Sequence, residues 1–172
     1  MANVNNPNGF LPYLAGGGGP PRITYLPLAT ANTAIGVGDP VTLVATGVDR
    51  AAASAALCGI AAEPKAASAG GKIAVWADPS QEFVAQTDDG TGACTTAVFM
   101  RTNANFVAGN AANGHSIAEI DEDTATTTAT LPFKVLRLSD EAGNAFGEFN
   151  RLVVKINNHQ LGEGTGTLAI AT

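Results

Sequence analysis

Charge is scarce in this sequence. Asp, Glu, Lys and Arg make up 14% of 172 residues, against roughly 25% in an ordinary soluble domain. Such a surface is either rich in Thr, Asn and Ser or largely covered by partners. Positive charge is the scarcer sign, with nine Lys and Arg against fifteen Asp and Glu and a net charge of -6. The basic residues form no cluster, which disfavours nucleic acid, whose phosphates require Lys and Arg. No apolar run approaches the roughly 18 to 20 residues of a membrane-spanning helix, so no membrane partner is expected. The opening MANVNNPNGF has neither a basic region nor an apolar core, so no secretory leader is expected and synthesis is expected in the cytosol. Two cysteines, Cys58 and Cys94, are too few for a disulfide scaffold. Each sits among small apolar residues and reads as a buried thiol acting as a small hydrophobe, with a single disulfide as the alternative.

Helical periodicity is almost absent. Twenty Gly and nine Pro instead favour turns, and short apolar runs between them have strand length. The stretch from Gly38 to Gln86 reads as a meander. Val41, Leu43 and Ala45 alternate with Thr42, Val44 and Thr46, and Gly47 closes that run. Further runs follow at Leu57–Ala61, at Ile73, Val75 and Ala77, and at Phe83 and Ala85. Arg22–Ala29 alternates as a strand that Pro27 places at an edge. The Ala-rich stretch Arg50–Leu57 has the composition for one helical turn.

Later in the chain, Asp88–Gly92 is a turn and Ala93–Met100 a strand. Asn103–Gly114 reads as a loop, His115–Ile120 as a short strand, and Asp121–Thr130 as an exposed loop or edge strand. Phe133–Leu138 alternates most cleanly, Phe133, Val135 and Arg137 facing one way. Asn150–Asn157 is a last long strand, and the Gly/Thr-rich tail after it has the composition for one more. The expected fold is all-β: a compact barrel or sandwich of roughly eight to eleven short strands.

Residues 1–21 differ from residues 22–172, which read as a single β-domain. An Asn-rich lead precedes a short apolar patch, Phe10, Leu11, Tyr13 and Leu14. Gly16 to Gly19 and then Pro20 and Pro21 form a hinge. An isolated arm cannot bury those four side chains against itself. It either folds back on its own domain or docks on another molecule.

Few residues form a pattern that carries chemistry. His115 and His159 belong to no HxH or HExxH pair. No GxSxG elbow surrounds any serine, and Trp76 alone makes no sugar platform. Asp88-Asp89-Gly90 and Asp121-Glu122-Asp123 lack the spacing of a calcium loop. Gly16–Gly19 lacks the Lys-Ser/Thr of a phosphate loop. Asn157-Asn158-His159-Gln160 is a dense polar cluster at a strand end, either a site or a network holding a turn. No catalytic role, metal or cofactor is expected from these residues.

Together, GDPVTLVATGVDRAAASAALCGIAAEPKAASAGGKIAVWADP, NFVAGNAANGHSIAEID and RLVVKINNHQLG resemble the head decoration, or cement, proteins of tailed bacteriophages in the order of their pieces. The resemblance covers most of residues 5–165 and departs from the family before His115, where Asn113-Gly114 replaces a Thr-Gly. It implies a virion protein on the exterior of an icosahedral capsid, made in the bacterial cytoplasm, with the major capsid protein as partner and a homotrimeric assembly. Phe10, Leu11, Tyr13 and Leu14 would be the docking anchors, with Arg22 just beyond the hinge. The other classes compatible with the sequence are a phage tail or receptor-binding β-domain, a small hydrolase with a dispersed site, and the shell-forming capsid protein itself.

Overall fold

A computed structural model describes residues 3–14, 18–88, 102–109 and 113–162. These residues contain eleven strands and no helix. The fold is all-β, as the turn-rich composition predicts, and its strands form two antiparallel sheets packed on each other.

The six-stranded sheet runs in the order β1 (Leu11–Pro12), β7 (Glu82–Gln86), β11 (Arg151–Ile156), β10 (Phe133–Leu138), β8 (Asn103–Val107) and β9 (Glu119–Thr126). The five-stranded sheet runs β2 (Ile23–Pro27), β6 (Lys72–Trp76), β5 (Gly59–Ala61), β3 (Pro40–Val44) and β4 (Gly47–Arg50). The second sheet curls until its margins meet. Leu28 bridges Val48, and Ala29 N–H donates to Val48 C=O at 2.9 Å. Gly47 permits that approach, because its φ is +141° and a Cβ there would lie 2.6 Å from the Pro27 carbonyl oxygen.

Strand alternation lets the curled sheet serve two cores. Ile60 faces the larger core between the sheets, with partly buried Trp76 packed against it, while Ala61, Val75, Ile73, Val41 and Val48 face a smaller core inside the curl. The larger core centres on three phenylalanines. Phe10 stacks on Phe133 with centroids 4.3 Å apart and planes 7° from parallel, and Phe106 meets both rings edge-on at 6.4 and 5.9 Å.

Several local expectations change. Arg50–Leu57 holds no helical turn: Ser54 takes a φ of +64° and exchanges hydrogen bonds with Asn105. Gly47 opens β4 instead of ending a run, because Ala45 and Thr46 turn the chain back on β3. Asn103–Val107, read as loop, is a buried strand. Ala104 and Phe106 enter the core, while Asn103 Nδ2 donates to Thr128 C=O and Asn105 Nδ2 to Ser54 Oγ. In β10 a bulge between Val135 and Arg137 reverses the alternation, so Leu138, not Arg137, packs on the core beside Phe133 and Val135. Ala93–Met100, Cys94 and the tail beyond Gly162 lie outside the described residues.

A candidate docking edge

The N-terminal residues are built into the domain. Asn3 donates through Nδ2 to the carbonyls of Ala145 and Glu148 at 2.9 and 2.8 Å. Gln86 accepts from Asn6 N–H at 2.9 Å and donates to Asn5 Oδ1 and Glu119 Oε1 at 3.0 and 2.7 Å. Phe10 N–H donates to Gly38 C=O at 3.0 Å. Gly9 has a φ of +64°, and a Cβ on it would lie 2.6 Å from that of Ser116. Leu11 and Pro12 then pair with Val84 and Phe83, Tyr13 N–H donates to Glu82 C=O, and Leu14 C=O accepts from Glu82 N–H and from Gln81 Nε2.

Over residues 3–14 these contacts lie within the chain's own domain. Of the two readings, the described residues take the fold-back. The reason is the apolar patch itself: Phe10 gains more from the phenylalanine cluster than a solvated arm offers, since full burial of such a side chain is worth about 1.5–3 kcal/mol. Phe10 has no exposed surface, so it is a core residue and offers no docking surface. Of the hinge, Gly16 and Gly17 lie outside the described residues.

The other four expected docking residues lie on or beside the edge strands β1 and β2. Leu11 is 37% exposed and Leu14 42%. Tyr13 is half-buried, with the Arg137 guanidinium over its ring at 5.1 Å from the centroid. Arg22 is exposed. Sequence reasoning missed two neighbours, Ile23 at 51% and Tyr25 at 63% exposure. Pro27 had already signalled an edge strand, and an edge strand shows its outer face. β1 stands at the edge of the six-stranded sheet beside β7, and β2 at the edge of the five-stranded sheet beside β6.

Two grooves lie beside the N-terminal segment. One of about 490 Å³ lies between Asn3–Asn6 and Glu141–Asn144. A smaller one of about 210 Å³ lies beside Leu11, Tyr13 and Val84. The Glu141–Arg151 ion pair, at 2.8 Å, reaches both.

The cluster Asn157–Gln160 is a network that holds a turn and ties the sheets together. Asn157 Nδ2 donates to the carbonyls of Ala129 and Leu131. Gln160 uses its side-chain amide as a strand uses its backbone: Oε1 accepts from Leu43 N–H at 2.6 Å and Nε2 donates to Leu43 C=O at 3.2 Å. His159 Nδ1 accepts from Leu161 N–H at 3.1 Å. Burial pushes its imidazole down to about 4, against a smaller upward pull from Asp78.

Three other carboxyls, Asp39, Asp121 and Glu119, are shifted by their surroundings. Asp39 is buried; burial raises its carboxyl, and hydrogen bonds from Ser116 and from Gly36 N–H oppose the rise. Burial and the Asp88 charge raise Asp121, and burial raises Glu119. Among the described residues no three His, Cys, Asp or Glu side chains converge as metal ligands would. No helix among them is long and apolar enough to cross a membrane. No protein-family model, curated protein or solved structure matches the chain.

Proposed function

We propose that this chain is a structural protein of a bacteriophage virion, binding the exterior of the icosahedral head as a cement protein that bridges neighbouring subunits of the major capsid protein. The observation that carries this reading is the set of exposed apolar side chains on and beside the edge strands β1 and β2: Leu11, Leu14, Ile23 and Tyr25. Leu11, Tyr13, Leu14 and Arg22 are its docking residues, and Phe10 is the pin that fixes them to the domain.

The resemblance of the meander and of RLVVKINNHQLG to head decoration proteins supports the same reading. Low charge suits a surface shared with neighbours, since interface cores are depleted in charged residues. Assembly as a homotrimer would multiply a modest contact, because linked sites gain avidity without any new contact.

The test uses purified heads that lack the protein. The unmodified chain is expected to bind them and raise their resistance to disruption. The double variant Leu11→Ser, Leu14→Ser, with an unchanged melting temperature, is expected to lose that binding. Full binding by the variant would overturn the assignment of these residues. No binding by the unmodified chain would overturn the function.

A further inference from the structure

The larger groove, about 490 Å³, falls within the size range of small-molecule sites. Residues 3–6 form one wall and Glu141–Asn144 the other, and Phe149 and Arg151 complete the lining. Neither wall is a strand. Both are pinned by side-chain amides. Asn3 takes the N–H and C=O of Ala145 and the C=O of Glu148. Asn144 takes the C=O of Ser139 and both backbone groups of Arg151. Asn6 N–H and Asn5 Oδ1 are tied to Gln86. A groove fixed in this way stands ready before a ligand arrives, which lowers the cost of binding.

Other polar groups of the lining are unspent. The Asn6 side-chain amide and Asn5 Nδ2 have no hydrogen-bond partner among the described residues. Both residues are exposed. Arg151 Nη1 donates to Glu141 Oε2 at 2.8 Å, and the guanidinium carries further N–H donors in the same plane. Glu141 Oε1 accepts weakly from Ser139 Oγ, at 3.5 Å.

Phe149 is the anomaly. Its φ is +52°, a left-handed backbone that is rare for a bulky side chain and easy for Gly or Asn. The turn around it is held on both sides. Asn150 Nδ2 donates to Gly147 C=O at 3.1 Å, and Glu148 C=O accepts from Asn3 Nδ2 at 2.8 Å. Backbone strain kept in place by its surroundings clusters at functional positions. Here it sets a half-buried aromatic residue in the groove lining.

These groups select a class of ligand. The lining holds one positive and one negative charge, and the two are paired. Neither a phosphate nor an amine would meet a spare counter-charge. A primary amide, like a carboxylate beside a guanidinium, presents acceptor and donor side by side. That suits adjacent hydroxyls, each of which both donates and accepts. An aromatic ring offers an apolar surface to the C–H face of a sugar. Peptide grooves use an open strand edge or an apolar channel, and this lining is neither.

We propose that the groove between Asn3–Asn6 and Glu141–Asn144 binds a neutral oligosaccharide. Asn5, Asn6, Glu141 and Arg151 hold its hydroxyls, and Phe149 covers the apolar face of one sugar ring. This goes beyond head binding. None of Leu11, Tyr13, Leu14 and Arg22 lines the groove, and the test needs no heads, so either reading can fail alone.

The test is proton–nitrogen correlation NMR on the full chain, titrated with maltohexaose, cellohexaose, mannohexaose and N-acetylchitohexaose. At least one is expected to give saturable shifts with a midpoint below roughly 5 mM. They should centre on the side-chain amides of Asn5 and Asn6 and on the backbone of Gly143 and Phe149. Asn6→Ala removes an amide that holds nothing in the fold. Phe149→Asn keeps a residue suited to the left-handed backbone. Each is expected to leave the domain folded and to weaken that binding at least tenfold, whereas the Leu11→Ser, Leu14→Ser variant binds as the unmodified chain does. Should Phe149→Asn disturb the domain, Asn6→Ala still decides. No saturable shift with any of the four sugars would overturn the proposal, as would full binding by the folded variants. Shifts of the same groups by hexaglutamate and by none of the sugars would also overturn it and assign the groove to a protein partner.

Discussion

Phe10 and Phe133 lie face to face, 4.3 Å between ring centroids, although 123 positions separate them in the chain. The contact fixes the meaning of the N-terminal patch. One ring seals the core, and the leucines after it are held at the surface because that ring is buried. Phe10→Ala leaves a cavity among Phe106, Phe133 and their neighbours. A loss of about 3–5 kcal/mol is expected, read as a lower urea midpoint. Removal of residues 1–14 should destabilise the domain at least as much, and an undiminished midpoint would contradict this packing.

Leu11→Ser and Leu14→Ser should behave in the opposite way. Both side chains are already substantially exposed, so each change is expected to shift stability by less than about 0.5–1 kcal/mol. Each should weaken head binding by roughly tenfold, about 1.4 kcal/mol of lost apolar contact. Paired melting and head-binding curves separate this outcome from that of Phe10→Ala.

His159 gives a pH dependence with a definite sign. Its folded value, about 4, lies below the ordinary 6.5. The unfolded chain therefore binds the proton first. Stability is full above about pH 6.5, falls as pH drops toward 4, and levels off below that. The full span is roughly 3 kcal/mol. The raised carboxyls of Asp39, Glu119 and Asp121 work in the opposite sense, so comparison with His159→Gln isolates the histidine. The variant's unfolding free energy should fall less between pH 7.5 and pH 5.

Burial pushes the Cys58 thiol up to about 12, and the residue has no exposed surface. At pH 8 the peptide holding Cys58 is expected to resist iodoacetamide in the folded protein and to react fully in urea. Mass spectrometry of the digested protein reads this directly. Rapid native labelling of Cys58 would contradict the burial.

Gly47→Ala is expected to open the curled sheet. Its Cβ would meet Pro27 and Leu28 backbone at 2.6 and 2.7 Å, at a φ of +141°. A loss of at least about 1–2 kcal/mol is expected, with faster amide exchange at Ala29, which bonds across the closure.

The strands most legible in the sequence were those whose alternation is apolar on the buried face. Phe83–Ala85, Ile73–Ala77 and the run after Asn150 all form where the pattern places them. Asn103–Val107 was illegible because asparagines usually mark turns. Here their side-chain NH2 groups donate to Ser54 and to the Thr128 carbonyl, partners that only the folded chain brings near. The Arg137 side of β10 was misread because a bulge leaves no mark in composition. The candidate docking residues were half legible. The apolar patch was visible, but which of its members turn inward depends on Phe133, far along the chain. Ile23 and Tyr25 escaped because alternation alone does not tell a covered strand face from an open one.

The contacts of Asn3 and Phe10 with residues 133–148 also bear on how the molecule is made. Asn3 waits for Ala145 and Glu148, and Phe10 for Phe133. Residues 3–10 thus cannot reach their places until residues 133–148 have left the ribosome. Contacts of such long sequence separation slow folding, because loop closure precedes any reward. A nascent chain stopped before residue 133 would hold a complete small core inside the curled sheet and an unfilled large one.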